Sequence, residues 1–252
     1  MRLDFLEGKY GLQILFLLFI TFLSLLTFQI IGFLLIHFST PFSFSDLTSG
    51  NFQEIFMAKK EGYSAFFILL FTQSIGLFLI PALLFSLFFK QFAQVKLFNL
   101  DFKTSMKFIG LLPFFSLAGL ILVGYLGELN MKISLPEIFH QMEESTNETI
   151  KYILSFRSTG HIFLTIILMS VLPAIAEELF FRGVIQQILI NWCKKKWLGI
   201  LITAFFFSAI HFQFLTFLPR FFMGILLGFL FIWSRNLLIP IIAQFFHNLL
   251  SI

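Results

Sequence analysis

Ala174-Ile175-Ala176-Glu177-Glu178-Leu179-Phe180-Phe181-Arg182-Gly183 sets two adjacent carboxylates and an arginine inside a segment, His161 to Trp192, that is otherwise almost entirely apolar. A charged side chain at the centre of a membrane helix costs about 2.5–3.5 kcal/mol on insertion scales, so such residues face a protein interior or a water cavity and mark function. On a helix, Glu178 and Arg182 are four residues apart and pair along one face, which offsets part of that cost. Glu177 stands about 100° round the helix from Glu178 and has no cation at the pairing distance. A desolvated carboxylate without such a partner is a candidate general base or acid.

Working outward, the composition fits this placement. The chain has 252 residues, 58% hydrophobic and 12% charged, with 41 phenylalanines. Several runs exceed the ~18 apolar residues that indicate a bilayer-spanning helix. The expected fold is all-α: a polytopic membrane helical bundle of about seven transmembrane helices. The net charge of +4 does not imply nucleic-acid binding, because the basic residues lie in short loops between apolar runs, where membrane topology accounts for them. A single cysteine, Cys193, excludes an intrachain disulfide framework and reads as a helix-end packing residue.

The chain then divides into an N-terminal part, residues 1–160, with about three spans and an acidic amphipathic segment, and a core of about four helices, residues 161–252. The first span runs from Gln13 to His37, too long for the apolar part of a signal peptide, so no cleavable leader is expected. A polar loop from Phe38 to Tyr63 leads to a second span, Ser64 to Phe89. The loop Gln91 to Met106 follows, and Lys107 opens a third span that reaches Gly127. From Glu128 to Gly160 the chain turns acidic, with apolar residues at partly helical spacing, the pattern of an amphipathic helix lying at an interface. The fourth span, His161 to Trp192, is long enough for Pro173 to kink or break it. Lys194-Lys195-Lys196 ends it. Leu198 to Leu218 forms the fifth, Pro219 and Arg220 punctuate, and Phe221 to Trp233 forms a short sixth with Gly224 and Gly228 as a small-residue face. Leu237 to Ile252 is the last. With the N-terminus inside, ten basic residues fall in inside segments and six in outside ones, so N-in is favoured.

Depth along these helices points to a shared site. At a 1.5 Å rise, Glu177 lies about 22 Å, His211 about 20 Å and Asn248 about 17 Å from the inside ends of the fourth, fifth and seventh spans. Polar groups in a bilayer seek partners, so Glu177, His211 and Asn248 are expected to meet. Each alone also reads as packing: a histidine in an apolar helix often hydrogen-bonds between helices, and Gln244, His247 and Asn248 could do the same. Glu178 and Arg182 read as structural. His37, His140 and His161 sit at span ends or in the acidic segment and suggest nothing further. Together, Glu177 and His211 could deprotonate a water while the Asn248 amide stabilises an oxyanion, the equipment for peptide hydrolysis without a covalent intermediate. The same pair could hold zinc, with His247 or Glu178 as third ligand, but metal-free chemistry with no cofactor is favoured.

These residues resemble a known family. Glu177-Glu178-Leu179-Phe180-Phe181-Arg182 is similar to the Glu-Glu-x-x-x-Arg motif of the CPBP, or Abi, intramembrane proteases, the group that includes the CAAX prenyl endopeptidases. Phe207-Ser208-Ala209-Ile210-His211 resembles its second motif, Phe-x-x-x-His. The likeness covers Ile167 to Leu250. It implies an intramembrane peptidase, described in the family both as a metalloendopeptidase and as a metal-independent glutamate protease. It further implies that Glu177 activates water with His211, that Glu178 and Arg182 support the site, and that the last motif stabilises the oxyanion. That motif departs from the pattern: the family writes His-x-x-x-Asn, whereas this chain has Gln244-Phe245-Phe246-His247-Asn248. A glutamine donates a neutral hydrogen bond but does not titrate, and His247, about 60° away, partly substitutes. The resemblance implies a bilayer-embedded protein, in a bacterial plasma membrane, acting on a membrane-associated peptide or protein. The alternative is a catalytically weakened relative that binds a membrane peptide or confers bacteriocin immunity. A proton pathway through Glu177 and His211 is a third reading, against which the chain shows no internal repeat.

Overall fold

A computed structural model describes residues 6–89, 108, 110, 112–156 and 158–252. The described residues form helices and no strands. Ten helices follow in order: α1 (Tyr10–Ser39), α2 (Phe44–Thr48), α3 (Phe52–Met57), α4 (Gly62–Phe88), α5 (Leu112–Met131), α6 (Glu137–Leu154), α7 (Thr159–Cys193), α8 (Lys196–Ala209), α9 (Phe217–Ser234) and α10 (Leu238–Leu250). By length and composition α1, α4, α7 and the stretch Phe214–Ser234 can each cross a membrane, and α5, α8 and α10 are shorter or less extensive apolar helices beside them. The chain is a polytopic membrane helical bundle.

The long helices are apolar nearly all round because one side packs on protein and the other faces lipid. Leu15, Leu18, Phe19, Phe22 and Ile30 of α1 are exposed, while Leu17, Ile20 and Ile36 are buried. Central to the packing is α7: Leu179, Phe180, Phe181 and Val184 cluster with Leu17 and Ile20 of α1, Phe78 and Phe85 of α4, Phe207 of α8 and Phe231 of α9. A second cluster joins α5, α9 and α10 through Leu112, Met223, Leu227 and Ile239.

Pro173 does not break its helix. It follows a π-helical turn, Ile167–Val171, in which Leu172 N–H bonds back to Ile167 C=O, five residues earlier. Proline lacks an N–H and crowds the carbonyl four residues before it, and the widened turn accommodates both defects. The same device recurs in α4, where the π turn Ile75–Leu79 precedes Pro81. A third π turn, Phe181–Ile185, lies within the acidic-motif region of α7.

Other expectations need correction. The loop Phe38–Tyr63 contains the short helices α2 and α3. The fifth span does not reach Leu218; α8 stops at Ala209, because Phe212 adopts a left-handed φ of 54° and reverses the chain. Pro219 and Arg220 do not separate two spans but sit in the first turn of α9, where proline's missing N–H leaves no intrahelical bond unmade. The loop Gln91–Met106 and the start of the third span at Lys107 lie outside the described residues.

At one end of the bundle α7 and α9 finish on Lys194 and Arg235, both left-handed (φ 56° and 52°), cations placed against the negative ends of helix dipoles. Lys194 Nζ reaches Tyr10 Oη at 3.4 Å, so the start of α1 shares this end. At the other end lies α6. Its Ile153 is buried against the α2–α4 region, Ser145 bonds Gln53, and Tyr152 Oη donates to Lys59 C=O at 2.5 Å. The amphipathic segment is therefore a cap docked on one end of the bundle.

Candidate functional site

Glu177 and Glu178 are consecutive on α7 and so point in different directions. Glu178 turns fully inward and is ion-paired with Arg182, one helical turn on. Arg182 is also fully buried; its Nη2 donates to Gly224 C=O at 3.0 Å, and its guanidinium lies 4.7 Å from the centre of the Phe207 ring. One turn later Gln186 Nε2 donates to Gly228 C=O at 3.2 Å. The polar ridge of α7 thus bonds to backbone carbonyls of α9, which requires α9 to come close. A Cβ on Gly224 would lie 3.0 Å from Ala204, and one on Gly228 would lie 2.8 Å from Ile200 and from the Gln186 side chain. The small-residue face serves this approach. Glu178 and Arg182 do not line the cavity described next; they hold α7 and α9 together behind it.

Glu177 faces a cavity of about 590 Å³. His211, Gln244, His247 and Asn248 line the same cavity, so the residues singled out in three spans converge. Gln244 Nε2 donates to Glu177 Oε2 at 2.6 Å, which orients that carboxylate and engages the glutamine. His211 lies just past the end of α8, its ring edge-on to Phe207 at 5.6 Å between centres. The turn that carries it is pinned from outside the core. Asn130 of α5 accepts from Leu218 N–H at 3.0 Å and donates to Phe214 C=O at 2.9 Å, while buried Glu143 of α6 accepts from Leu215 N–H at 2.9 Å.

Arg220 lines the cavity too, although the sequence reading treated it as punctuation. Its guanidinium donates to Thr216 Oγ1 at 2.9 Å and to Gln213 Oε1. An arginine at the head of a long apolar run, close in sequence to His211, was the available signal. The opposite wall comes from the N-terminal spans through residues such as Gln29 of α1 and Gln73 and Ser74 of α4. His37, His140 and His161 are elsewhere: His161 stacks on Phe156 and meets Tyr63 edge-on, and His37 packs on Phe44. Cys193 is half-buried at the end of α7.

The donor set does not fit zinc. Among the described residues no three His, Cys, Asp or Glu side chains gather where one ion could join them. Glu178, considered as a third ligand, is turned away to Arg182.

Residues 159–250 match the family described as Type II CAAX prenyl endopeptidase Rce1-like, a match that spans α7 to α10. The likeness to that CAAX-protease family is confined to this stretch, 92 of the 252 residues. Its family-like part therefore contains Glu177, His211, Gln244 and Asn248, whereas α1 to α6 lie outside the match. The chain is 35% identical over 99 residues to a Bacillus subtilis (strain 168) protein described as uncharacterized protein YpbD, covering 38% of this chain and 46% of the relative. It is 32% identical over 92 residues to an uncharacterized 24.3 kDa protein of Escherichia coli, covering 35% and 42%. The matched stretch is thus less than half the length of either relative. No solved structure matches the chain.

Proposed function

We propose that the protein is an intramembrane endopeptidase that hydrolyses a peptide bond of a membrane-associated protein or peptide, with Glu177 and His211 activating water. The observation that carries this reading is the convergence of Glu177, His211 and Asn248 on one cavity within a bilayer-type helix bundle. Glu177, oriented by Gln244, takes the proton of a water positioned between it and His211. That water attacks the carbonyl carbon, and Asn248 donates to the oxygen on which charge develops. Glu177 then returns the proton to the leaving amine. Glu178 and Arg182 keep α7 and α9 in register and do not touch the reacting atoms. In this reading the water is activated by Glu177 and His211 without a metal.

The basic end of the bundle, with Lys194, Lys195, Lys196 and Arg235, is assigned to the inside of a bacterial plasma membrane, which puts the N-terminus inside and the cap α6 outside. Reporter fusions after residues 8 and 156 test that orientation.

A second reading is favoured by Gln244, which replaces the family's histidine and engages one oxygen of Glu177. In it the chain is a weakened relative that binds a membrane peptide or protects against a bacteriocin. Mass spectrometry of membrane and secreted peptides from cells expressing wild type, Glu177→Gln or an empty vector separates the two. New termini that vanish with Glu177→Gln support the endopeptidase. Identical profiles, together with protection that survives Glu177→Gln, support the second reading and sink the first.

A further inference from the structure

One charged group of the cavity has no part in the chemistry above: Arg220. It stands at the start of α9, half-buried in the cavity wall, and its two hydrogen-bond acceptors, Thr216 Oγ1 and Gln213 Oε1, are both neutral. Among the described residues the side-chain ion pair is Glu178–Arg182, and no carboxylate lies within pairing distance of Arg220. Glu177 lines the same cavity, and Glu143 is engaged with Leu215 N–H on the neighbouring turn. A guanidinium in such a setting is expensive in a membrane protein unless negative charge arrives to meet it. Gln244, which occupies the family's histidine position, is engaged on Glu177 Oε2 and is not free to meet charge on a substrate.

We infer that Arg220 joins Asn248 in stabilising the oxyanion formed on the scissile carbonyl, with Gln213 and Thr216 as the positioning residues that hold its guanidinium. The inference rests on the endopeptidase reading. In the step, the oxygen of water bonds to the carbonyl carbon and its proton passes to the Glu177 carboxylate. The carbonyl π pair moves onto oxygen, giving a tetrahedral anion beside the guanidinium. On collapse the carbon–nitrogen bond breaks, Glu177 gives its proton to the leaving amine, and the products are a carboxylic acid and an amine. Nothing beyond water is consumed. A planar guanidinium with five donors, held in the cavity wall by Thr216 and Gln213, adds to the Asn248 amide a full positive charge for this task.

The test uses the full chain in liposomes, a peptide that the wild type cleaves, and the phosphinate analogue of that peptide as an anionic tetrahedral mimic. Arg220→Gln is expected to lower kcat about 100- to 1,000-fold with KM little changed, and to weaken phosphinate inhibition by a similar factor. Free guanidinium should restore part of the activity of Arg220→Ala, which a purely structural role would not allow. If the Arg220 variants fail to fold, Gln213→Leu, which keeps the charge but loosens its hold, should still lower kcat with KM unchanged. Unchanged kcat or unchanged phosphinate affinity in a folded Arg220→Gln overturns the inference and leaves the endopeptidase standing, as does a rise in KM alone. A wild type that cleaves nothing removes both.

Discussion

Gln244 Nε2 donates a 2.6 Å hydrogen bond to Oε2 of Glu177, joining α10 to α7 across 67 residues of sequence. Removing the donor leaves a buried carboxylate oxygen without its partner, at a cost of about 1–3 kcal/mol. Gln244→Leu is therefore expected to lower the melting temperature in detergent and to slow peptide cleavage. Gln244→His, which retains an N–H at this point, should fold like the wild type and cleave at least as fast. A Gln244→Leu protein indistinguishable from wild type in both measurements would show that the bond neither stabilises the fold nor orients Glu177.

The Glu178–Arg182 pair is fully buried, and breaking such a pair by removing one partner costs about 3–5 kcal/mol. Glu178→Leu and Arg182→Met are each expected to yield little folded protein by size-exclusion chromatography. The double variant, which leaves no unpaired charge, should recover folded protein in part, although the bond from Arg182 to Gly224 is lost. No recovery would mean that the contact with α9, and not the charge pair, decides folding.

Asn130 satisfies two backbone groups of the turn between α8 and α9. Asn130→Leu leaves both unpaired, about 1–3 kcal/mol each, and loosens the segment that carries His211 and Arg220. Hydrogen exchange should rise at residues 212–218 while the core of α7 stays protected, and cleavage should fall. Faster exchange throughout α7 would show that the damage is global.

Asp46 closes the N-terminal capping box of α2: it accepts from Ser43 N–H and Oγ at 2.8 Å each. These bonds, the backbone one first, hold its carboxyl below the ordinary value of 3.8. Its contribution is therefore complete above the unfolded-state pKa and is lost as pH falls through the lower folded value. Protection at residues 43–48, measured relative to the intrinsic exchange rate at each pH, should be constant at neutral pH and fall only below the usual carboxylate range. Asp46→Asn should lower it at neutral pH. A loss of protection in the wild type already near pH 6 would contradict this assignment.

Much of the fold was legible because bilayer helices announce themselves by length and apolarity: α1, α4 and α7 begin and end within a few residues of the apolar runs from Gln13, Ser64 and His161. The depth count brought Glu177, His211 and Asn248 to one level because a straight helix converts residue number into distance. It was less informative at His211, which lies in a turn set by the left-handed Phe212, a conformation that no residue pattern there signalled. The break that Pro173 could have made is avoided for a local reason, since a π turn precedes it and the helix runs on through it.

What the sequence by itself determined is the membrane class, the buried charge pair at i and i+4, and the three motif positions, because helical periodicity and the cost of charge in lipid act locally. Only the tertiary structure decided that Gln244 binds Glu177, that Arg220 enters the cavity, and that α1 and α4 supply its opposite wall. Those outcomes depend on which faces of separate helices meet, and that is set by packing around Gly224 and Gly228 and by the turn that Asn130 and Glu143 hold, contacts between residues far apart in the chain.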